Sequence, residues 1–430
     1  MSTISAGAYR IRPLVRKKMR IKVKAFGCKL NQCEAGAIER ALSAAGYDIV
    51  WKPPFDAVIV CGCTVTSRAD YKVRQYIRRM SRDYGVKRLI LSGCSAVSFT
   101  RDTIGELGIE KTFEKNDPKK IVDYFGIIEK RKAKTPTFAG RTRGFVKIQD
   151  GCNQFCAYCI VPHVRGRERS IPPGDVIARI AELESAGVKE AVLTGVHDGR
   201  YSSENLDLAG LCRRILDETS IHRIRLSSVE ATEITGELID LITSEPRIAP
   251  HLHVPLQSGS DAVLRKMGRR YSTTKYASVV KELSRKAPDI GIGADVIVGF
   301  PGETDKEFDE TYRLLESLPI AYLHIFRYSP RPGTAAMKMP EQVHNETKWE
   351  RMKALKSLDE RLREKFALSQ IGKTRRVIIE KVENDTGYGW TGNYLRAEFP
   401  IDSYKKSNLV LLKPESYDNR VITCKIIRSI

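Results

Sequence analysis

Residues 145–170 read FVKIQDGCNQFCAYCIVPHVRGRERS. Hydrophobic alternation restarting at Phe145 predicts a strand over Val146–Asp150, and the loop after it carries Cys152, Cys156 and Cys159 in a CxxxCxxC spacing. Three thiolates in one short loop hold three irons of a 4Fe–4S cube, whereas four are needed to close it. The fourth iron then stays open to a ligand, as a catalytic metal site keeps a free position. Zinc is the competing reading. Three close cysteines without a fourth make a poor structural zinc site, although His163 could complete one.

Six strand-like segments follow one another from this point: Val146–Asp150, Glu190–Gly195, Ile224–Val229, Leu252–Leu256, Ala294–Phe300 and Tyr322–Tyr328, each separated from the next by helical sequence. Six successive parallel strands predict an open (β/α)6 barrel, a partial TIM barrel, with its site at the strand C-termini. Residues 341–370 predict a long helix whose Trp349, Met352, Leu355, Leu358 and Leu362 form an apolar packing stripe.

Upstream, strands are expected around Ile21–Ala25, Ala57–Val60 and Arg88–Leu91, alternating with helices. This pattern predicts an α/β domain with a parallel sheet. Cys28, Cys63 and Cys94 fall just past these three strands, in KAFGC, VIVCGC and LILSGC. Neighbouring parallel strands lie about 4.8 Å apart, so the three thiols converge on the rim where open α/β sheets bind ligands. A second three-cysteine cluster site is the functional reading, and three buried cysteines packed as small hydrophobes the alternative. Cys212 and Cys424 sit in helix and strand patterns that suit a core. Cys33 and Cys61 lie near the second trio without a matching loop position.

The 430 residues carry a net charge of +21. Residues 1–150 hold 31 basic and 14 acidic side chains, residues 151–370 hold 31 of each, and residues 371–430 hold 11 and 7. The excess sits at the two ends and favours a polyanion, nucleic acid first. No apolar run approaches the roughly 18 residues of a membrane span, so no membrane role is expected. Ten clustered cysteines in so long a chain point to metal or redox chemistry in a reducing, cytoplasmic compartment. From Thr374 the pattern turns to short alternating strands with Gly/Asn turns, a small β-barrel of a kind that binds RNA. Its Arg375, Arg376, Tyr388, Trp390, Tyr394 and Arg396 interleave cations with aromatics. The domain reading is a basic N-terminal extension (1–18), the sheet domain (19–128), a linker (129–143), the barrel (144–370) and the C-terminal β-barrel (371–430). The extension has no acid before Glu34; its composition suits a transit peptide or an ordinary leader.

With two three-cysteine sites, GCNQFCAYCIVPHVRGRERS resembles the signature of the radical S-adenosylmethionine methylthiotransferases. LTGVHDGRY, RLSSVEATEI, HLHVPLQSGSD, GADVIVGFPGET and FRYSPRPGTAA extend the match over most of the chain. AFGCKLNQCE and GYGWTGNYLR resemble the branch that modifies threonylcarbamoyladenosine in tRNA; other branches modify isopentenyladenosine or a ribosomal-protein aspartate. Cys61 departs from the family, which commonly has Asn there. The resemblance implies a C-terminal TRAM module, two 4Fe–4S clusters, S-adenosylmethionine and an electron donor such as flavodoxin or ferredoxin. It also implies a tRNA anticodon arm as substrate. Cys152, Cys156 and Cys159 would hold the radical cluster, and Cys28, Cys63 and Cys94 the auxiliary one. Gly195, Ser227, Ser228, Glu230, Gln257, Ser258 and Asp295, at the strand ends, are the candidates for binding S-adenosylmethionine. Tyr158 would shield the cluster or pack near adenine.

Overall fold

The computed structural model describes residues 19–129, 142–401 and 404–430. The expected N-terminal extension and most of the expected linker lie outside them.

The first unit is a five-stranded sheet of β1 (Arg20–Ala25), β2 (Asp48–Ile49), β3 (Ala57–Gly62), β4 (Arg88–Gly93) and β5 (Lys111–Phe113), in the order β2-β1-β3-β4-β5. Every pairing is parallel. Central β3 is buried at all six residues because apolar side chains pack on both its faces: Ile38 and Leu42 on one, Val73 and Ile77 on the other. The helix Ser67–Tyr84 shows the local causes. Thr66 caps it by accepting from the Ala69 N–H, and Gly85 in the left-handed region ends it. Val73, Ile77 and Met80 then face the sheet, leaving Lys72, Arg78, Arg79 and Arg82 in water. Edge strands β2 and β5, two and three residues long, carry no periodic signal a sequence reading could register.

The middle unit contains β6 (Arg143–Lys147), the short hairpin pair β7 (Gln149–Asp150) and β8 (Arg169–Ser170), then β9 (Glu190–Thr194), β10 (Arg223–Arg225), β11 (His251–His253), β12 (Gly291–Val298) and β13 (Tyr322–Arg327). They form two parallel sheets, β6-β9-β10 and β11-β12-β13. Isolated parallel bridges, Ile224 to Ile248 and Ser228 to His253, join β10 to the β11 segment. The six long-range strands therefore run in chain order. The first expected strand divides: Ile148 still donates to the Thr194 carbonyl, but Gln149–Asp150 leaves to pair with β8, which ties the two ends of the cysteine loop together. β10 and β11 are shorter than expected because their mutual pairing consists of isolated bridges.

One apolar core, including Leu193, Leu226, Val254 and Val296, fills the space between strands and helices. Alternate residues, among them Ser227, His253 and Asp295, face the lumen. The long helix spans Asn345–Leu368, and Met352, Leu355, Leu358 and Leu362 of the expected stripe are buried. Trp349 is not: it is 52% exposed, with the Arg327 guanidinium over its ring at 4.1 Å.

The C-terminal β-rich region has β14 (Arg375–Glu383), β15 (Thr386–Thr391), β16 (Arg396–Pro400), β17 (Leu409–Asp418) and β18 (Val421–Ser429), closed in the order β14-β15-β16-β18-β17. Val377, Phe399, Val410 and Ile422 form its core. Its β15–β16 turn plugs the lower end of the lumen. Tyr394 stacks on Trp390 at 4.6 Å and approaches His251 at 4.6 Å, and Arg225 donates to the Gly392 and Thr391 carbonyls. These aromatics thus face the barrel floor.

Candidate active site between two cysteine trios

The sheet unit docks on the C-terminal rim of the middle unit through a buried polar network. Arg165 donates from Nη1 to Glu34 Oε1 (3.1 Å) and Asp150 Oδ1 (3.0 Å), and from Nη2 to Asn31 Oδ1 (2.5 Å). Lys147 bridges the same two carboxylates at 2.7 and 2.8 Å. Burial opposes ionisation of Asp150, but Lys147 and Arg165 outweigh it and hold the carboxyl at about 2. On the other side of the rim, Arg331 pairs with Asp70 and Thr64, and the Ser329 and Ser67 hydroxyls meet at 2.7 Å. These two rim residues join the units.

The docking brings the trios together. Cys94 packs with Ile160 and Val164, from the short helix that follows the CxxxCxxC loop. Cys28, Cys63 and Cys94 lie close enough to feel one another's charge, as do Cys152, Cys156 and Cys159. Between them a cavity of about 190 Å³ is lined by Val65 and Thr66, just past Cys63, by Tyr158 and Cys159, and by Gln257, Asp295 and Phe326 of the barrel. A larger cleft of about 310 Å³ lies at the seam with the C-terminal barrel and touches no thiol.

Each loop is shaped by a glycine before its cysteine. Gly27 has φ +86°, and a Cβ there would lie 2.5 Å from Cys63 Sγ, so only glycine lets the Cys28 and Cys63 loops approach. Gly151 has φ +74°, and a Cβ would run into the Arg167 carbonyl. A glycine directly precedes each of Cys28, Cys63, Cys94 and Cys152, a signal legible in the sequence itself.

The donor set fits iron–sulfur clusters. A zinc ion takes thiolates at about 2.3 Å, which gathers the sulfur atoms tightly. Among the described residues the groups with three ligand atoms within 4.8 Å are His253/Asp295/His324 and His197/Glu230/Glu233, and neither includes a thiol. His163 is exposed, its ring edge-on to Phe155 at 5.9 Å. N–H groups surround the radical-loop sulfurs: Arg269 Nη1 is 3.5 Å from Cys156, the Gln154 amide 3.4 Å from Cys152, and His197 Nδ1 3.7 Å from Cys152. Such donors favour the thiolate. Without a cluster, burial pushes the Cys63 and Cys159 thiols up to about 12. Cys61 is fully buried in the sheet core, and the Cys33 thiol donates to the Phe145 carbonyl at 3.3 Å; Cys212 and Cys424 are core residues.

The chain matches the model of the radical SAM superfamily over residues 146–315 and that of the uncharacterized protein family UPF0004 over residues 20–111. It is 35% identical to threonylcarbamoyladenosine tRNA methylthiotransferase MtaB of Bacillus subtilis, over 87% of this chain and 89% of that one. The chain belongs to the radical S-adenosylmethionine methylthiotransferase family. Its MtaB relative from Thermotoga maritima is 34% identical over 94% of this chain and 96% of that one. A tRNA-2-methylthio-N(6)-dimethylallyladenosine synthase of Syntrophobacter fumaroxidans is 32% identical over 88% and 90%. Among solved structures the fold resembles the radical S-adenosylmethionine methyltransferase TsrM of Kitasatospora setae, with a TM-score of 0.56, 14% identity, and coverage of 74% and 75%. Methylthiotransferases of this family are enzymes that carry two 4Fe–4S clusters and use S-adenosylmethionine.

The seven candidate cofactor-binding residues separate into groups. Gln257 and Asp295 line the cavity. Asp295 lies 2.8 Å from His253 and 3.3 Å from His324; burial opposes its ionisation, but these imidazoles keep it well below the usual carboxylate range. Ser227 faces the lumen and donates to the Leu193 carbonyl, while Ser228 lends its backbone N–H to Asp198. Glu230 pairs with Arg269 at 2.7 Å and accepts from Gln154 in the cysteine loop. The space beside Gly195 is filled by Asp198 and Gln149, and Ser258 turns into the protein toward Thr311. Arg269 and Lys29 were missed. Arg269 sits between the helices Asp261–Lys266 and Thr273–Lys286, away from any strand end, and Lys29 reaches the lumen only because the two units dock.

Proposed function

We propose that the chain methylthiolates carbon 2 of threonylcarbamoyladenosine beside the anticodon in tRNA. The observation that carries this reading is one cavity lined by Cys159 of the loop trio and, from the sheet unit, by Val65 and Thr66 just past Cys63. When bound, the clusters and S-adenosylmethionine supply the electron, the 5′-deoxyadenosyl radical and the methylated sulfur. Cys152, Cys156 and Cys159 would hold the radical cluster, with Arg269, His197 and the Gln154 amide donating to their sulfurs. Cys28, Cys63 and Cys94 would hold the auxiliary cluster. Gln257, Asp295, Ser227, Ser228 and Glu230 would orient S-adenosylmethionine, directly or through the loop, and Tyr158 would exclude water beside Cys159.

The same reading assigns residues 19–128 to the methylthiotransferase domain, 144–370 to a (β/α)6 radical barrel and 371–430 to a TRAM module. Gly195 and Ser258 serve there as packing and turn residues. The anticodon arm would lie across the exposed basic helix Ser67–Tyr84, and the enzyme would be cytoplasmic and reduced by a flavodoxin or ferredoxin. No described helix is long and apolar enough to cross a membrane.

The test is anaerobic reconstitution with S-adenosylmethionine and reductant, followed by nucleoside mass spectrometry of tRNA. Formation of 2-methylthio-threonylcarbamoyladenosine supports the reading. Thiolation confined to dimethylallyladenosine tRNA or to a ribosomal protein defeats it, as does absence of 5′-deoxyadenosine.

A further inference from the structure

Lys29 is the first residue of the helix Lys29–Ala44, next to Cys28. That helix covers the open edge of the barrel at β6, where Cys33 meets the Phe145 carbonyl and Glu34 meets Lys147. From there the Lys29 side chain enters the lumen, and its Nζ lies 3.5 Å from Ser227 Oγ at the end of β10. That contact is long, and the Ser227 hydroxyl already donates to Leu193 at 2.8 Å.

Two of the lumen's acids are otherwise engaged, and a third, buried Asp198, feels the Lys29 charge without forming an ion pair with it. Glu190 is taken by Arg225 at 2.7 Å and Arg223 at 3.1 Å, and Asp295 by His253 and His324. Among the described residues no carboxylate lies within 4.0 Å of the Lys29 ammonium. A part-buried cation without a direct ion-pair partner is better satisfied when a ligand supplies the anion.

We infer that Lys29 reads the substituent on the substrate adenine, pairing its ammonium with a carboxylate there. This rests on the functional reading above, in which the substituent is a threonylcarbamoyl chain. That chain ends in a carboxylate and a hydroxyl, whereas a dimethylallyl chain is hydrocarbon and would bury the ammonium unpaired. Lys29 therefore attracts one substrate and penalises the other. The carboxylate of S-adenosylmethionine has the same chemistry, so the test separates the two sources.

The probes are an anticodon stem-loop RNA carrying threonylcarbamoyladenosine and the same RNA with that carboxylate converted to a carboxamide. Affinities are measured by fluorescence anisotropy with the cluster-loaded full chain. Wild type should bind the carboxylate RNA about ten- to hundredfold more tightly than the carboxamide. Lys29→Met should bring the ratio near one, and Lys29→Arg should restore most of it. Equal binding of the two RNAs by wild type overturns the inference, whatever the variants do. So does a Lys29→Met protein that keeps the ratio but loses affinity for S-adenosylmethionine. If wild type methylthiolates dimethylallyl RNA alone, the functional reading itself fails. If it methylthiolates threonylcarbamoyl RNA yet ignores the carboxamide change, only the role of Lys29 fails.

Discussion

Arg165→Met tests whether the buried network, rather than apolar contact, holds the two cysteine-bearing units together. The guanidinium is 8% exposed and donates to Glu34, Asp150 and Asn31. Removing it leaves two buried carboxylates to share Lys147, with Asp150 also reaching Arg169 at 3.1 Å. Breaking one partner out of a buried pair costs about 3–5 kcal/mol, because the remaining charge stays desolvated. Replacing both partners by apolar side chains is far milder, so Arg165→Met/Glu34→Met should recover all but about 1 kcal/mol.

The assay is a urea titration read by pulsed hydrogen exchange and mass spectrometry, which follows peptides of the sheet and barrel separately. Arg165→Met should expose the helix Lys29–Ala44 and the 151–170 loop at lower urea than the barrel strands. A loss under about 1 kcal/mol for Arg165→Met would refute the reasoning. So would a double variant no more stable than the single one, since the coupling would then be absent.

Acid should loosen the same seam. Asp150 is depressed from 3.8 to about 2, so its contribution is present above pH 3.8 and lost as pH falls through 2; this amounts to about 2 kcal/mol, measurable as a pH-dependent urea midpoint. Gly27→Ala should lose iron from the auxiliary trio while 5′-deoxyadenosine is still formed, and Gly151→Ala should do the reverse; iron analysis with product assay distinguishes them. In the proposed tRNA reading, changing Lys72, Arg78, Arg79 and Arg82 to Gln should reduce the slope of log affinity against log salt by about 3. An unchanged slope would remove that helix from the RNA footprint.

Much of the fold was legible because period-2 and period-3.6 patterns are local. β3, β4, β9 and β13 lie within a few residues of their expected places. The strand-end rule also located both cysteine trios, since a loop position follows from where a strand stops. What the sequence could not reveal depends on contacts between distant segments. Nothing local marks Glu34 and Arg165, which are 131 residues apart yet meet in the buried seam between the units. Trp349 fitted the helical stripe but lies at the margin of the packed face, where Arg327 covers it. Glu230 was placed as a ligand group from its strand end, but its carboxylate is committed to Arg269, whose position no periodicity reveals.

The charge distribution gains a sharper meaning from these pairings. A net of zero across residues 151–370 conceals many buried cations, each answered nearby: Arg225 by Glu190, Arg269 by Glu230, Arg351 by Glu303. Charges neutralised this way cannot grip phosphate. The C-terminal excess is reduced as well, because Arg375 pairs with Asp289 at 2.9 Å while Trp390 and Tyr394 face the barrel floor. Among the described residues, free positive charge remains on the C-terminal barrel, at Arg376, Lys413 and Lys425, and on the sheet unit, where Lys72 and Arg78 stand in water on the helix that begins just past the Cys63 loop. An RNA held there would have its backbone beside one wall of the cavity. A single unpaired base could then reach the lumen from the side where Lys29 enters, while the barrel's internal salt bridges keep its other cations from competing for the phosphates.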